Sequence, residues 1–304
     1  MDTVIITGGT GLIGTALTKL LLERGYRVII LTRRPEKGNN SEVTYARWNI
    51  DEQTIDKTAI EQADYIIHLA GANVGEKRWT SSRKREIIDS RTKSSELLFN
   101  TLKTTPNKVR KVISASATGY YGEYTDHVFT ESDPAATDYL GTTTEAWEKS
   151  ISQITTLGKK LVIFRSGLVL SRDGGAMKEF YKPLRFGFAT VLGSGDQYIS
   201  WIHIHDIVRL FFNAIVNDKL TGIYNAVGPN PVTNKELILT MARIAKGRSF
   251  MTVYVPAFVL KLALGEMSVE VLKSMRASAS AIQQTGFQFS YPTIKEAMEQ
   301  LFSQ

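Results

Sequence analysis

The chain has 304 residues, with 37 lysines and arginines against 30 aspartates and glutamates, a formal net charge of +7. An apolar fraction of 43% with only 8 prolines can build a substantial core and excludes a disordered or collagen-like chain. The absence of cysteine excludes disulfides, thiolate metal centres and a thiol nucleophile, and the four histidines form no ligand-spaced cluster, so no metal is expected.

Val4-Ile5-Ile6 reads as a buried strand running into a glycine turn. The start has no basic segment followed by an apolar one, so no secretory signal is expected. Ile13, Leu17, Leu20 and Leu21 form the stripe of a helix stopped at Gly25. Further strands are expected at Arg27 to Leu31, Tyr65 to Ala70, Val112 to Ala115 and Leu161 to Arg165, with helical sequence between them. Trp147, Ile151 and Ile154 mark the helix before the last of these. The alternation predicts an α/β fold: a Rossmann-like, doubly wound parallel sheet, with binding at the carboxyl ends of its strands.

Past about residue 170 the rhythm changes, which predicts a smaller, interwoven substrate-side lobe. Phe180 through Gly195 reads as loop-rich, and Asp206 as the cap of a helix reaching Val216. Asn234 is the expected N-cap of a helix running to about Lys246 and ended by Gly247. Pro256 opens a further helical region, and Tyr291-Pro292-Thr293 precedes a short last helix. The expected division is a dinucleotide-binding core over 1–165, a mixed segment over 166–246 completing the core and forming the lobe, and a small C-terminal domain over 247–304 packed on that lobe. No stretch reaches 18 apolar residues, so neither a membrane span nor a membrane partner is expected, and a cytoplasmic location is. The basic run Lys77-Arg78 with Arg83-Lys84-Arg85 reads as a solvated helix face, and no nucleic-acid partner is expected. A small anionic molecule suits the charge better, bound by a monomer or homodimer.

The strongest local signal is Gly8-Gly9-Thr10-Gly11-Leu12-Ile13-Gly14, set between the first strand and a helix. Gly8 or Gly9 permits the tight turn, Gly11 lets backbone approach a pyrophosphate, and Gly14 lets the helix pack closely on the sheet. The backbone at Leu12 and Ile13 then offers helix N-terminal donors to the diphosphate. At the end of the second strand stand Thr32, Arg33 and Arg34 in place of an acid, which predicts NADP(H) in preference to NAD(H). His68, Leu69, Ala70 and Gly71 end another strand, where small residues let backbone lie against the cofactor.

These segments, with Lys77-Arg78-Trp79-Thr80, Ser114 through Gly122, Arg165 through Leu170 and Trp201 through Asp206, resemble the extended short-chain dehydrogenase/reductase superfamily in its nucleotide-sugar epimerase/dehydratase branch. More closely, the chain is similar to an atypical group of epimerase-family proteins with a small C-terminal domain. The resemblance implies NADP-dependent oxidoreductase or epimerase-like chemistry on a small nucleotide-linked substrate. It also implies a serine, a tyrosine and a lysine four residues after the tyrosine. Ser116 matches the serine. Tyr139 is followed by Thr143, and alignment on Glu148 puts Leu140 and Thr144 at the pair, so the lysine is missing in either register. Ser116, Tyr120 and Tyr121 are therefore the catalytic candidates, and a catalytically inactive dinucleotide-binding sensor or scaffold stands as the alternative. Lys84 is a further candidate to enter the cleft. Arg165, Lys182 and Arg185 are expected either to offer charge to the substrate, with Phe186, Phe188 and Tyr198 stacking on it, or, with those three, to form a satisfied lobe interface.

Overall fold

Val4, Ile5 and Ile6 are fully buried at the centre of strand β1 (Thr3–Thr7), which the glycine turn joins to helix α1 (Leu12–Glu23). The structure, a computed structural model, describes residues 1–35, 42–123 and 126–302. Strands β2 (Arg27–Thr32), β3 (Val43–Asn49) and β4 (Thr54–Ile55) lie on one side of β1, and helix α2 (Lys57–Gln62) leads back to β5 (Tyr65–His68) on the other. Helix α3 (Ser81–Thr104) connects β5 to β6 (Lys111–Ala117). After the short β7 (Val128–Phe129), helix α4 (Tyr139–Ser152) connects to β8 (Lys160–Ser166) and then β9 (Leu168–Leu170).

The later chain runs through α5 (Gly175–Arg185), β10 (Phe188–Leu192), β11 (Tyr198–Ile199), β12 (Trp201–His203), α6 (Ile204–Val216) and β13 (Gly222–Ala226). It continues with β14 (Val232–Thr233), α7 (Asn234–Lys246), β15 (Met251–Val255), α8 (Ala257–Leu264), α9 (Met267–Leu272), β16 (Arg276–Ala277), α10 (Ser280–Gln284) and α11 (Ile294–Phe302).

The sheet order is β13-β8-β6-β5-β1-β2-β3-β4, parallel throughout except for β3 with β4. This is the doubly wound α/β sheet the alternation predicts. Leu17 and Leu21 of α1 and Leu210 and Phe211 of α6 cover one face. Ile60 of α2, Leu97 and Leu98 of α3 and Ile151 of α4 cover the other. Strand order reverses between β1 and β5, the position at which doubly wound sheets bind their ligands. The edge strand β13 comes from within the segment 166–246 and pairs with β8, so the later chain is woven into the core. The smaller lobe has its own core from α5, β10, α7 and α11, including Met177, Val191, Ile238 and Met298.

Three local expectations need correction. Phe180 to Gly195 is not loop-rich: α5 continues through Pro183 and β10 follows, because Met177, Phe180, Tyr181 and Leu184 supply a packed stripe. The cap of α7 is Thr233, whose hydroxyl accepts from the Glu236 N–H, and Asn234 is the first helical residue. Helix α6 starts at Ile204 on His203, and Asp206 sits in its first turn. There its carboxylate accepts from the N–H groups of Ser290 and Tyr291 at 2.8 and 3.0 Å, tying down the C-terminal segment.

Candidate functional site

At the turn between β1 and α1, Gly8 adopts φ +70°, and a Cβ there would lie 2.9 Å from the Leu69 carbonyl carbon. A Cβ on Gly14 would overlap the Gly8 carbonyl oxygen and come within 2.6 Å of the Gly9 Cα, so α1 reaches the turn only with glycine there. Gly11 precedes α1, with no side chain capping its first N–H groups and no acid in its first turn. These donors, with the positive end of the helix dipole, suit a diphosphate. The N–H groups of Leu69 and Ala70 donate to the Thr7 hydroxyl at 3.1 and 3.2 Å, which holds the end of β5 beside the turn. A Cβ on Gly71 would meet the Arg91 guanidinium at 3.1 Å.

His68 is fully buried, and its ring links three elements. Nδ1 lies 2.8 Å from the Thr7 hydroxyl, and Nε2 lies 3.3 Å from the hydroxyls of both Ser94 and Ser95. Burial, with Arg91 nearby, pushes its pKa down to about 3, so the imidazole is neutral. Its side chain pins α3 to the sheet and is fully committed there.

Thr32, Arg33 and Arg34 line a cleft of about 510 Å³ together with Asn49 and Asp51. The Thr32 hydroxyl accepts from the Arg34 N–H at 3.3 Å, and both arginines are exposed. Asp51, which follows β3, brings an acid to the same cleft.

Ser116 is 2% exposed near the end of β6, and its hydroxyl donates to Glu148 Oε1 at 2.5 Å. Arg165 Nε and Nη2 donate to the same carboxylate at 2.9 and 2.8 Å. Burial opposes the charge on Arg165, but its bonds to Glu148 outweigh that and raise its pKa. Arg165 Nη1 donates to the Tyr121 hydroxyl at 2.9 Å, and that hydroxyl donates to Asn225 Oδ1 at 2.8 Å. Tyr121 is fully buried and stacked on Phe129, and burial pushes its pKa up to about 12 despite Arg165. Tyr120 is half-buried, with the Arg165 guanidinium 3.4 Å from its ring centre.

Arg165 therefore does not face a substrate, as the sequence suggested. It is buried because Glu148, an acid on the inner face of α4, neutralises it. The signal for this pair lay in Glu148 beside Trp147 on the packed side of a helix. Other residues expected at the pocket are placed differently. Lys182 pairs with Glu179 at 2.7 Å, Tyr198 carries the Arg276 guanidinium 4.8 Å from its ring centre, and Phe186 stands exposed on the turn after α5. Lys84 pairs with Glu266 of the C-terminal segment, and Lys273 pairs with Asp138 at 2.7 Å and Glu270 at 2.9 Å.

Of the two alignments of α4, the geometry favours the one through Glu148. The Tyr139 hydroxyl donates to the Lys84 carbonyl on α3 at 2.9 Å, whereas Leu140 packs against Gly119 just beyond Ser116. The Thr144 hydroxyl donates to the Leu140 carbonyl at 2.7 Å. His203 is buried against Tyr291, and burial pushes its pKa down to about 4. Among the described residues, no group of three His, Asp or Glu could hold a metal ion.

Residues 4–167 match the NAD dependent epimerase/dehydratase family, and residues 255–301 match a domain of unknown function, DUF1731. Epimerase family protein SSP1921 of Staphylococcus saprophyticus is 36% identical over 302 residues, 99% of each chain. The crystal structure of human epimerase family protein SDR39U1 with NADPH superposes with a TM-score of 0.88 at 28% identity, covering 99% of both chains. MoeE5 in complex with UDP-glucuronic acid and NAD superposes at 0.79 with 22% identity, covering 100% of this chain and 98% of that one. UDP-glucuronic acid 4-epimerase from Bacillus cereus, with UDP-glucuronic acid and NAD, superposes at 0.79 with 20% identity, over 99% and 98%.

The expected preference for NADP(H) over NAD(H) is corrected by these structures. MoeE5 and the Bacillus enzyme carry NAD, while the human protein carries NADPH. The cleft shows what the sequence left out: the two exposed arginines share it with Asp51, an acid that opposes a 2′-phosphate. With its family model matched over residues 4–167, the chain belongs to the NAD dependent epimerase/dehydratase family.

Proposed function

We propose that this chain is a nicotinamide-dinucleotide-dependent oxidoreductase or epimerase-like enzyme acting on a small, anionic, nucleotide-linked substrate. The observation that carries the reading is the uncapped, acid-free start of α1 above a turn that admits no Cβ at Gly8 or Gly14. The ligands of the human protein and of MoeE5 support it. In this reading the backbone of Gly11, Leu12, Ile13 and Gly14 receives the diphosphate. Thr32, Arg33 and Arg34 border the adenosine end, and the backbone from Leu69 to Gly71 borders the middle. When bound, the dinucleotide supplies a hydride acceptor or donor.

A serine hydroxyl has one proton to donate and lone pairs that accept. Ser116 directs its proton to Glu148, so toward a substrate it offers an acceptor. It therefore orients a substrate hydroxyl in preference to polarising a carbonyl. Tyr120 is the proton-transferring phenol of this reading, since the Tyr121 hydroxyl is held by Asn225 and Arg165. The lysine of α4, Lys149, lies in its last turn, exposed and paired with Glu145 at 2.9 Å, and does not stabilise a phenolate.

Calorimetric titration with NADH and NADPH, followed by incubation with UDP-glucose or UDP-glucuronic acid while reduced nicotinamide is monitored, tests the proposal. Failure to bind either dinucleotide refutes it. Leu140 and Thr144 favour a second reading, a dinucleotide-binding sensor without turnover. That reading predicts tight binding, no hydride exchange with any nucleotide sugar, and unchanged dinucleotide affinity in Ser116→Ala.

A further inference from the structure

Strands β10 and β15 pair in parallel, with Phe188 beside Met251, and each follows a helix, α5 and α7 respectively. The two helix-to-strand turns therefore lie at the same end of the ribbon. They are joined there by the Met251 N–H donating to the Gly187 carbonyl at 2.8 Å and by Lys246 Nζ donating to the Arg185 carbonyl at 3.4 Å. Three large apolar side chains project from this tip: Phe186 is 80% exposed, Met251 59% and Phe188 42%. Lys182, Arg185, Arg243, Lys246 and Arg248 come from the last turns of the two helices and the turn after α7. No acid occurs between Glu179 and Asp196, or between Glu236 and Glu266, and Glu179 itself is paired with Lys182. Basic last turns also suit the helix dipoles, which accounts for the charges but not for phenylalanines turned to water.

We propose that this tip docks on an anionic phospholipid surface, with Phe186, Phe188 and Met251 entering the headgroup region and the basic side chains meeting lipid phosphates. Exposed aromatic and apolar side chains rimmed by cations have the chemistry of a peripheral membrane contact. A second copy of the chain is a poorer occupant, because it would bring the same positive charge. The expectation of no membrane partner rests on spanning segments. No helix among the described residues is long and apolar enough to cross a membrane, and a surface contact needs none.

The experiment is co-sedimentation of the full chain with vesicles of phosphatidylglycerol and phosphatidylcholine, against vesicles of phosphatidylcholine alone. Binding is expected to the anionic vesicles, falling as salt rises to roughly 0.5 M. The double variant Phe186→Asp/Met251→Asp is expected to lose roughly tenfold or more of that binding. Arg185→Glu/Arg248→Glu, which leaves every apolar side chain in place, should lose it too, and unchanged thermal unfolding shows that each variant is folded. Absence of wild-type binding to anionic vesicles overturns the proposal, as does equal binding by folded variants. A dimer in sedimentation velocity that these substitutions dissociate, without vesicle binding, assigns the tip to self-association and overturns it as well.

Discussion

Gly14→Ala and Gly11→Ala separate the two tasks of the turn. A Cβ at position 14 falls on the Gly8 carbonyl and 2.6 Å from the Gly9 Cα, both backbone atoms that cannot rotate away. At position 11 the nearest atom to an added Cβ is the Gly8 carbonyl oxygen at 3.3 Å, a tight contact relieved by a shift of a few tenths of an ångström. Overpacking of this kind costs about 1–3 kcal/mol, partly offset by up to about 1 kcal/mol from alanine's higher helix propensity at position 14. A net loss near 2 kcal/mol lowers Tm by about 3 °C in a chain of 304 residues. Gly14→Ala should therefore melt earlier and bind dinucleotide poorly, because α1 is displaced from the turn. Gly11→Ala should melt within a degree or two of wild type yet lose roughly tenfold or more in affinity, since its methyl enters the space of the diphosphate. Calorimetric scanning and titration with NADH read the two effects separately. If Gly14→Ala keeps the wild-type Tm, the close-packing argument is wrong. If Gly11→Ala keeps wild-type affinity, the diphosphate does not lie on this turn.

Burial holds His68 near 3 and His203 near 4, whereas an unfolded histidine titrates near 6.5. Below about 6.5 the unfolded chain binds the extra protons, so stability falls as pH falls, by about 1.4 kcal/mol per pH unit for each histidine down to its folded value. Urea midpoints measured from neutrality down to about pH 5 should show this slope, and a flat profile would contradict the buried neutral rings. Glu148→Ala leaves the Arg165 charge buried without its partner and should cost about 3–5 kcal/mol, while Glu148→Leu with Arg165→Met should recover most of it in urea unfolding. Lys273→Met removes the bridge from the C-terminal segment to Asp138, which is partly exposed, so about 1 kcal/mol is expected, with faster amide exchange confined to α8 and α9. Unchanged exchange there would mean that apolar packing alone seats these helices.

Legibility from sequence followed the range of the interaction that fixes each feature. The β1 turn was readable because glycine needs at positions 8, 11 and 14 are local. The place of Ser116 near the end of β6 was readable because a short apolar run leads into it. Arg165 looked available because its burial is decided by Glu148, seventeen residues earlier on another element. Thr233 and Asn234 are both capping types. Which one caps depends on where the strand β14 ends, a matter of its pairing with β11. The two arginines after β2 looked decisive for the cofactor because sequence proximity could not place Asp51 in the same cleft. Two-residue strands such as β7 with β16 pair segments almost 150 residues apart and leave no periodic pattern.

The arrangement around Ser116 has a consequence for pH. Ser116, Arg165 and Asn225 are register partners across β6, β8 and β13, so their side chains share one face of the sheet. Glu148 and Tyr121 complete the row, and every Arg165 nitrogen has an acceptor. A buried network in which each member is satisfied is rigid, and rigidity suits orientation of a ligand better than delivery of a proton. The tyrosine–lysine pair that the sequence resemblance implies would work by moving a proton near neutrality. Here Tyr121 is held at about 12 and Arg165 above its ordinary value, so neither changes charge in that range. If nucleotide sugars are turned over, the rate should show no ionisation from these two groups between about pH 6 and 9. Tyr121→Phe should then lower stability by about 1–2 kcal/mol without changing the shape of the pH–rate profile. A limb near neutrality that disappears in Tyr121→Phe would refute this, because it would mean that the phenol releases its proton during the reaction despite the bonds that hold it.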